Sequence, residues 1–308
     1  MDEFAAIARH FARLGEARPD VRVGVGDDAA VLAPPADTEL LLTTDTLVAD
    51  RHFPETGFPP DALGHRALAV NLSDIAAMGG EPAWALLALV LPEADDEWLA
   101  AFAAGFGRLA ARADVALAGG NLASGPLSVT VTAAGFVPAG QALLRRGAHA
   151  GDVLFVTGAL GGGAAGLRAI RAGAPADAPE AVAFSRPEPR LHAGRALAHY
   201  ARAAIDVSDG LVGDLAKLLE ASGGLGADLE AAAVPRAAGA TLAEALGPSD
   251  DYELLLSIPA AAAEAVSALS AGTLGCAVHR IGRVVETPGI RVDGHPADAA
   301  AAGYRHFR

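Results

Sequence analysis

The sequence is poor in cysteine and lysine, two residue types that often carry covalent or phosphate-binding chemistry. Its single cysteine, Cys276, excludes an intramolecular disulfide and a zinc site built from several thiolates. Its single lysine, Lys217, lies in the amphipathic segment 215–219. That segment matches neither the Gly-Lys-Ser/Thr of a P-loop nor the strand lysine of a protein kinase. Both of these nucleotide-binding arrangements are therefore excluded.

Basic charge and long apolar runs are scarce as well. Lys and Arg total 23 against 37 Asp and Glu, a formal net charge of −14, and no basic run occurs, so a nucleic-acid partner is not expected. The longest apolar run, 83–91, is far shorter than the ~20 residues that span a bilayer and predicts a buried strand. The chain begins with acidic residues and no apolar segment. We therefore expect no targeting signal, no membrane association and a cytoplasmic location.

What the sequence does contain is enough apolar material for two ordered domains. Of 308 residues, 52% are hydrophobic and 19% charged, which excludes a disordered chain. Helical and strand patterns mix throughout, so the expected fold class is α/β or α+β. A turn-rich stretch follows Val137 and runs to Gly151. We place a domain boundary there, giving domains 1–138 and 139–308.

Periodicity predicts the main elements on each side of this boundary. Strands are expected at 40–46, 84–91, 128–137, 153–157, 203–207 and 252–258. Helices are expected at 61–78, after Asp95 and Asp96, and at 164–172, 209–221 and 260–271. Gly79-Gly80 offers a C-cap to the first of these helices. The glycine-rich segment 158–163 has the composition of a phosphate cradle, but we interpret it as a plain turn.

Acidic residues concentrate in five short segments, most of them where a predicted strand ends. These segments are 24–32, 43–46, 71–74, 205–210 and 249–254. Each one taken alone is also explained by local turn and helix-cap chemistry. Asp74 is harder to explain that way, because it lies mid-helix beside an apolar stripe, where an unpaired charge is costly. Hard divalent cations such as Mg²⁺ prefer oxygen ligands of this kind, so a metal site is the functional alternative.

These motifs, in this order, resemble thiamine-monophosphate kinase. The matching segments are Gly-Val-Gly-Asp-Asp, Thr-Thr-Asp-Thr-Leu-Val-Ala, Ala-Val-Asn-Leu-Ser-Asp-Ile-Ala-Ala-Met-Gly, Ile-Asp-Val-Ser-Asp-Gly-Leu and Asp-Tyr-Glu-Leu. The resemblance extends from Phe4 to the ending Gly-Tyr-Arg-His-Phe. It implies a two-domain aminoimidazole ribonucleotide synthetase-like fold, with N-terminal domains that bind ATP and Mg²⁺ and pair in a homodimer. The implied reaction is the ATP-dependent phosphorylation of thiamine monophosphate to thiamine diphosphate.

The resemblance also implies roles for individual residues. The positions implied to bind several Mg²⁺ ions are Asp28, Thr43, Thr44, Asp45, Asp74, Asp206 and Asp209. Gly120, Arg145 and Ser208 match positions that contact the nucleotide, and His52, Asp250 and Tyr304 match positions that contact the thiamine phosphate. No general base is expected, because a phosphate acceptor is already ionised and the transfer depends on neutralising and aligning two anions. A solvated loop arginine and a packed C-terminal aromatic are the alternative interpretations of Arg145 and Tyr304.

Two positions depart from the common family pattern. Asn121 stands where a metal-binding carboxylate is usual, and we interpret it as a weaker magnesium ligand, with a simple turn cap as the alternative. Asp250 stands where a longer glutamate is usual. Two other functions remain open: another ATP-using member of the same superfamily, and a non-catalytic thiamine-phosphate-binding protein. Cys276 is expected to be a small buried hydrophobe.

Overall fold

A computed structural model of the chain describes residues 2–15, 17–298 and 303. The chain divides into two compact units. The first comprises Met1–Ile75 and Gly80–Gln141, and the second comprises Ala76–Gly79 and Ala142–Arg308. No helix in the described part of the chain is both long enough and apolar enough to cross a membrane.

The elements up to Pro138 centre on a four-stranded sheet. They are α1 (Glu3–Ala6), a π-helical turn (Ile7–Phe11), β1 (Val21–Val23), β2 (Val31–Leu32), β3 (Thr38–Val48), α2 (Pro60–Ala77), β4 (Glu81–Leu91), α3 (Asp96–Arg112), β5 (Ala116–Ser124) and β6 (Ser128–Pro138). The sheet order is β3-β6-β4-β5, which leaves β3 at an edge. Neighbouring strands are antiparallel except β4 and β5, which are parallel and are joined through α3.

Helices α2 and α3 approach each other closely. The predicted stripe of Leu63, Ala67 and Val70 is buried, as expected. A Cβ added at Gly105 would lie 1.8 Å from the carbonyl oxygen of Asp61, so the contact requires glycine at that position. Gly79, with φ of +71°, follows the end of α2 and confirms the predicted C-cap.

The elements after Pro138 build a seven-stranded sheet covered by helices. They are β7 (Val153–Thr157), α4 (Gly162–Arg171), α5 (Val182–Ser185), α6 (Leu191–Ala198), β8 (Ala203–Val207), α7 (Leu211–Ala221), β9 (Gly226–Leu229), a 3₁₀ turn (Ala231–Ala233), α8 (Leu242–Leu246), β10 (Glu253–Ile258), α9 (Ala260–Ser267), α10 (Ala271–Leu274), β11 (Val278–Val285), β12 (Gly289–Val292) and β13 (His295–Ala297). The sheet order is β13-β12-β9-β11-β7-β10-β8. All neighbouring pairs are antiparallel except β12 and β9.

Both faces of this second sheet are buried. Along β7, Leu154 and Val156 pack in one core cluster, while Val153 and Phe155 pack in another. Because side chains alternate along a strand, the two clusters lie on opposite faces of the sheet. This double burial explains why β7, β8 and β10 are nearly continuous apolar runs in the sequence.

Two sequence predictions in this region need correction. The helix expected at 260–271 is wrong, because α9 ends at Ser267 and a separate helix begins at Ala271. Ser270 separates the two helices, because its hydroxyl accepts the Thr273 N–H and caps the start of α10. The helix expected from Asp209 begins at Leu211 instead, because Gly210, with φ of +119°, is its N-cap.

Candidate functional site

In the first unit, the candidate site lies on one face of strand β3. Side chains alternate along this strand, so Thr43 and Asp45 share a face with the buried Leu41. Asp74, on α2, meets that face: the Thr43 hydroxyl donates a 2.5 Å hydrogen bond to Asp74 Oδ2. Two oxygen-bearing side chains that the sequence predicted as metal ligands, 31 residues apart, are therefore in contact.

Thr44 projects from the opposite face of the same strand. Its hydroxyl donates to the Val131 carbonyl at 3.1 Å and accepts from the Thr132 hydroxyl at 3.0 Å. The structure therefore does not bring the Thr44 side chain together with Thr43 and Asp74. The metal role predicted for Thr44 remains a prediction.

Gly120 and Asn121 lie within β5 of the same unit. Gly120 has φ of +154°, and a Cβ there would come within 1.8 Å of the Leu87 carbonyl oxygen, so a larger residue does not fit. Asn121 is exposed and is paired in register with Ala88 of β4. It therefore lies in a strand, and the alternative that it only caps a turn is wrong. Both residues border a small apolar cavity of about 50 Å³ lined also by Leu87 and Leu89.

Asp28 and His52 also belong to the first unit. Asp28 is exposed, and its backbone N–H donates to the Asp27 carboxylate at 2.8 Å. His52 is half-buried, and its Nδ1 accepts the Val48 N–H at 2.9 Å. The roles predicted for Asp28 and His52 remain predictions.

In the second unit, three predicted residues follow one another where β8 meets α7. Asp206 is 3% exposed and pairs in register with Leu254 of β10. Ser208 and Asp209 are half-buried in the short loop that ends at Gly210. A Cβ at Gly210 would lie 2.1 Å from the Gly247 carbonyl oxygen, so this loop can close only with glycine there.

The loop 208–210 is held by a residue that the sequence analysis did not single out. Asp214 is fully buried, and its Oδ2 accepts the backbone N–H groups of Ser208, Asp209 and Gly210 at 3.0, 2.9 and 3.0 Å. Lys217 donates to Asp214 Oδ1 at 2.8 Å and to Asp209 Oδ2. Burial alone would lower the pKa of Lys217, but its bonds to Asp209 and Asp214 outweigh that effect and raise the pKa. The Asp-x-x-Lys spacing on a predicted helix is the sequence signal that could have identified this ion pair.

The acidic segment 249–254 proves to be mainly structural. Asp251 accepts the Gly161 and Gly163 N–H groups at 2.8 and 3.0 Å, and the Ser249 hydroxyl takes the Ala164 N–H. The glycine-rich segment 158–163 therefore has these N–H groups occupied by protein side chains, which fits the interpretation of a plain turn. Burial raises the pKa of Asp251 to about 6. Asp250, the predicted substrate contact, is half-buried beside it.

Four further residues from the sequence analysis complete the set. Glu253 forms a bidentate ion pair with Arg190, at 2.7 and 2.5 Å, and accepts the Thr157 hydroxyl, so it is a buried structural group. Arg145 is exposed in an irregular segment before β7. Tyr304 lies outside the described residues. Cys276 is buried, as expected, and burial raises the pKa of its thiol.

The donor chemistry of these residues fits magnesium. Every predicted ligand side chain offers oxygen, and the Thr43–Asp74 contact brings two such oxygens together. Within the described residues, no group of three or more His, Cys, Asp or Glu side chains is close enough to form a ready-made metal site. The structure therefore presents oxygen ligands in each unit rather than one preassembled cluster of carboxylates.

Comparison with known proteins places this architecture in a family. The domain family "AIR synthase related protein, N-terminal domain" matches residues 26–137, and its C-terminal counterpart matches residues 149–295. The thiamine-monophosphate kinase of Salmonella typhimurium is 42% identical over 99% of this chain and 98% of its own length. The chain belongs to the thiamine-monophosphate kinase family. It is therefore a kinase, and the expected enzyme class and fold class are confirmed.

Solved structures of this kinase family agree with the fold described above. The thiamine-monophosphate kinase of Stenotrophomonas maltophilia K279a superposes with a TM-score of 0.84 and 42% identity, covering 91% of this chain and 93% of that one. A structure of AaThiL complexed with AMPPCP and TMP gives a TM-score of 0.78 and 31% identity, covering 92% and 91%.

Proposed function

We propose that this kinase transfers the γ-phosphoryl group of ATP to thiamine monophosphate, giving ADP and thiamine diphosphate. The observation that carries the proposal is the hydrogen bond between Thr43 of β3 and Asp74 of α2, which brings together two oxygen-bearing side chains that could bind a cation. The full-length similarity to thiamine-monophosphate kinases and the AaThiL complex with AMPPCP and TMP support the choice of substrates.

The transfer proposed is direct and in line. An oxygen of the thiamine phosphate attacks the γ-phosphorus, the bond to the β,γ-bridging oxygen breaks, and ADP leaves with that oxygen. The acceptor oxygen is already ionised, so no residue has to remove a proton. Bound Mg²⁺ ions would neutralise negative charge on the transferring group. The side chains of this chain then have two tasks, which are to hold the cations and to align the two anions.

Oxygen-bearing residues of both units are proposed to hold the magnesium ions. In the first unit these are Asp28, Thr43, Thr44, Asp45, Asp74 and Asn121. In the second unit they are Asp206 and Asp209. Gly120, Arg145 and Ser208 are proposed to contact ATP, and His52, Asp250 and Tyr304 the thiamine phosphate.

A homodimer is also proposed, with the first unit pairing through the open face of its sheet. Leu40 and Leu42 of the edge strand β3 are 51% and 67% exposed, and Leu86 of β4 is 43% exposed. Strand alternation and register put all three on the face opposite Thr43 and Asp45. Apolar side chains grouped on an edge strand favour coverage by another protein surface, here a second copy.

One assay tests the proposed reaction. The purified protein is incubated with ATP, Mg²⁺ and thiamine monophosphate, and the products are separated by chromatography. Thiamine diphosphate and ADP are expected in equal amounts, with none formed when EDTA removes the Mg²⁺. Binding of thiamine monophosphate without product would instead support the non-catalytic alternative. Product formed only from a different acceptor would support another superfamily activity.

The stereochemistry at phosphorus tests the direct transfer. With a chiral, oxygen-labelled γ-thiophosphate of ATP, a single in-line displacement inverts the configuration at phosphorus. Overall retention would require two displacements and a phosphorylated enzyme, which would overturn the direct mechanism.

A further inference from the structure

The carboxylate of Asp214 accepts hydrogen bonds from three backbone N–H groups of the loop between β8 and α7. Asp214 lies in the first turns of α7, and helical side chains point back toward the helix N-terminus. One of its oxygens, Oδ2, thereby receives three successive N–H groups, those of residues 208, 209 and 210. A buried anion in this position fixes the backbone of all three residues at once.

Lys217 extends this constraint to a side chain. It lies one helical turn after Asp214, and its ammonium group bridges Asp214 Oδ1 and Asp209 Oδ2. The backbone of the loop and the carboxylate of Asp209 are therefore tied to the same buried anchor. Lys217 also offsets the negative charge of two neighbouring carboxylates, which would otherwise repel each other.

We infer that Asp214 and Lys217 are positioning residues that hold Ser208 and Asp209 in the conformation that receives ATP and its metal. This inference rests on the proposed function, in which Ser208 contacts the nucleotide and Asp209 the magnesium. Neither Asp214 nor Lys217 touches the reacting groups in this role. Their contribution is to remove alternative loop conformations before the nucleotide arrives, so that binding does not have to order the loop.

The test compares three variants in the full-length protein with the wild type. Asp214→Asn keeps the shape of the side chain but removes the negative charge of the group whose oxygen accepts three N–H groups. Lys217→Met removes the ammonium group, and Lys217→Arg keeps a cation at that position. Arg168→Met is the control, because Arg168 forms an ion pair with Glu244 in the same unit and donates to Glu244 and the Gly239 carbonyl rather than to residues 208–210.

The first measurement is backbone amide hydrogen exchange, which needs no substrate. In Asp214→Asn, exchange at residues 208–210 is expected to accelerate at least tenfold, whereas Arg168→Met leaves it unchanged. Unchanged exchange at these three amides in Asp214→Asn would overturn the inference. Should Asp214→Asn fail to fold, Lys217→Met gives the same measurement, since its side chain is 42% exposed and its loss is milder.

The second measurement is the affinity for AMPPCP with Mg²⁺, determined by calorimetry. Asp214→Asn and Lys217→Met are expected to raise the dissociation constant at least fivefold, with Lys217→Arg restoring most of the affinity and thiamine monophosphate affinity unchanged. A purely structural defect would lower the binding stoichiometry without moving the dissociation constant, and that result would overturn the inference. If the wild type forms no thiamine diphosphate, the proposed function fails, while the exchange rates still decide the positioning role.

Discussion

Asp45 adds the third oxygen-bearing side chain to the β3 face that carries Thr43. Asp45→Asn changes little volume but removes one negative charge, and the affinity of a hard cation follows ligand charge. We therefore expect turnover to fall by at least a hundredfold while the thermal unfolding temperature stays within a few degrees of wild type. Product formation by chromatography at low millimolar Mg²⁺ measures the effect.

A charge removed just before the same strand is the control for this change. Asp37 has φ of +58°, a conformation that asparagine also adopts readily, so Asp37→Asn preserves the turn. Its turnover is expected to equal that of the wild type. A folded Asp45→Asn protein with wild-type turnover would remove Asp45 from the metal site.

Asn121 stands where the family resemblance implies a metal-binding carboxylate. Because it lies in strand β5 beside Gly120, its amide has a defined position that an aspartate would share. Asn121→Asp should lower the Mg²⁺ concentration at half-maximal rate several-fold, which corresponds to ~1 kcal/mol. A Mg²⁺ titration of the reaction rate measures this change.

Removing the amide oxygen at this position provides the converse measurement. Asn121→Ala should raise the Mg²⁺ concentration at half-maximal rate. If neither variant moves the titration midpoint, Asn121 is not a magnesium ligand, and its exposed place in β5 is structural.

At the scale of secondary structure, Asp251 links the start of α4 to the segment before β10. Burial raises its pKa from 3.8 to about 6, so the folded protein binds this proton more tightly than the unfolded chain does. The free energy of unfolding should therefore fall as pH rises from about 4 to about 6, and level off above that. The loss should amount to ~3 kcal/mol relative to Asp251→Asn, measured by denaturant unfolding at several pH values.

Glu244 provides a control because its pKa is shifted in the opposite direction to that of Asp251. The hydrogen bond from Arg168 lowers the pKa of Glu244 to about 2, so its stabilising effect is lost only as pH falls from about 4.5 toward 2. The difference between the wild type and Glu244→Gln should thus stay flat between pH 5 and 8. If the difference in unfolding free energy between the wild type and Asp251→Asn stays constant over pH 4 to 6, burial does not govern the protonation of Asp251.

The elements with one dominant periodicity were predictable from the sequence. β4, β7 and β10 are apolar runs bounded by turn residues, and α2 carries a clear apolar stripe. β5 was missed, because Gly119, Gly120 and Asn121 interrupt its pattern with residues typical of turns. The pairing of those residues with β4 is a tertiary contact, which local sequence does not encode.

The candidate site was predictable in residue type but not in contact. Family resemblance selected Asp209, Thr43 and Asp74, whereas the facing direction of Thr44 follows from strand alternation alone. The roles of Asp214 and Asp251 depend on which N–H groups a buried carboxylate reaches. Those partners come from segments up to 90 residues away, as for Gly161 and Asp251, and the sequence pattern does not reveal them.

At the scale of the whole molecule, the exposed leucines of β3 predict self-association. Leu42→Glu places a charge in the middle of the proposed dimer face, where a desolvated, unpaired carboxylate is costly. We expect sedimentation to show a dimer for the wild type and a monomer for this variant. Val182→Glu is the control, since Val182 is an exposed hydrophobic residue of the second unit. The Val182→Glu protein should remain dimeric. A monomeric wild type would refute the pairing.

Because the chain contains one lysine, that side chain can be labelled selectively for NMR spectroscopy. Reductive methylation with ¹³C-formaldehyde modifies only primary amines and keeps their positive charge, so Lys217 would give the only side-chain methyl resonance introduced by the reagent. Its ammonium group is bonded to Asp209 and Asp214, so that resonance would respond to any rearrangement of the loop between β8 and α7. This one side-chain NMR signal could thus follow nucleotide and metal addition in a 30.8 kDa protein without a mutation.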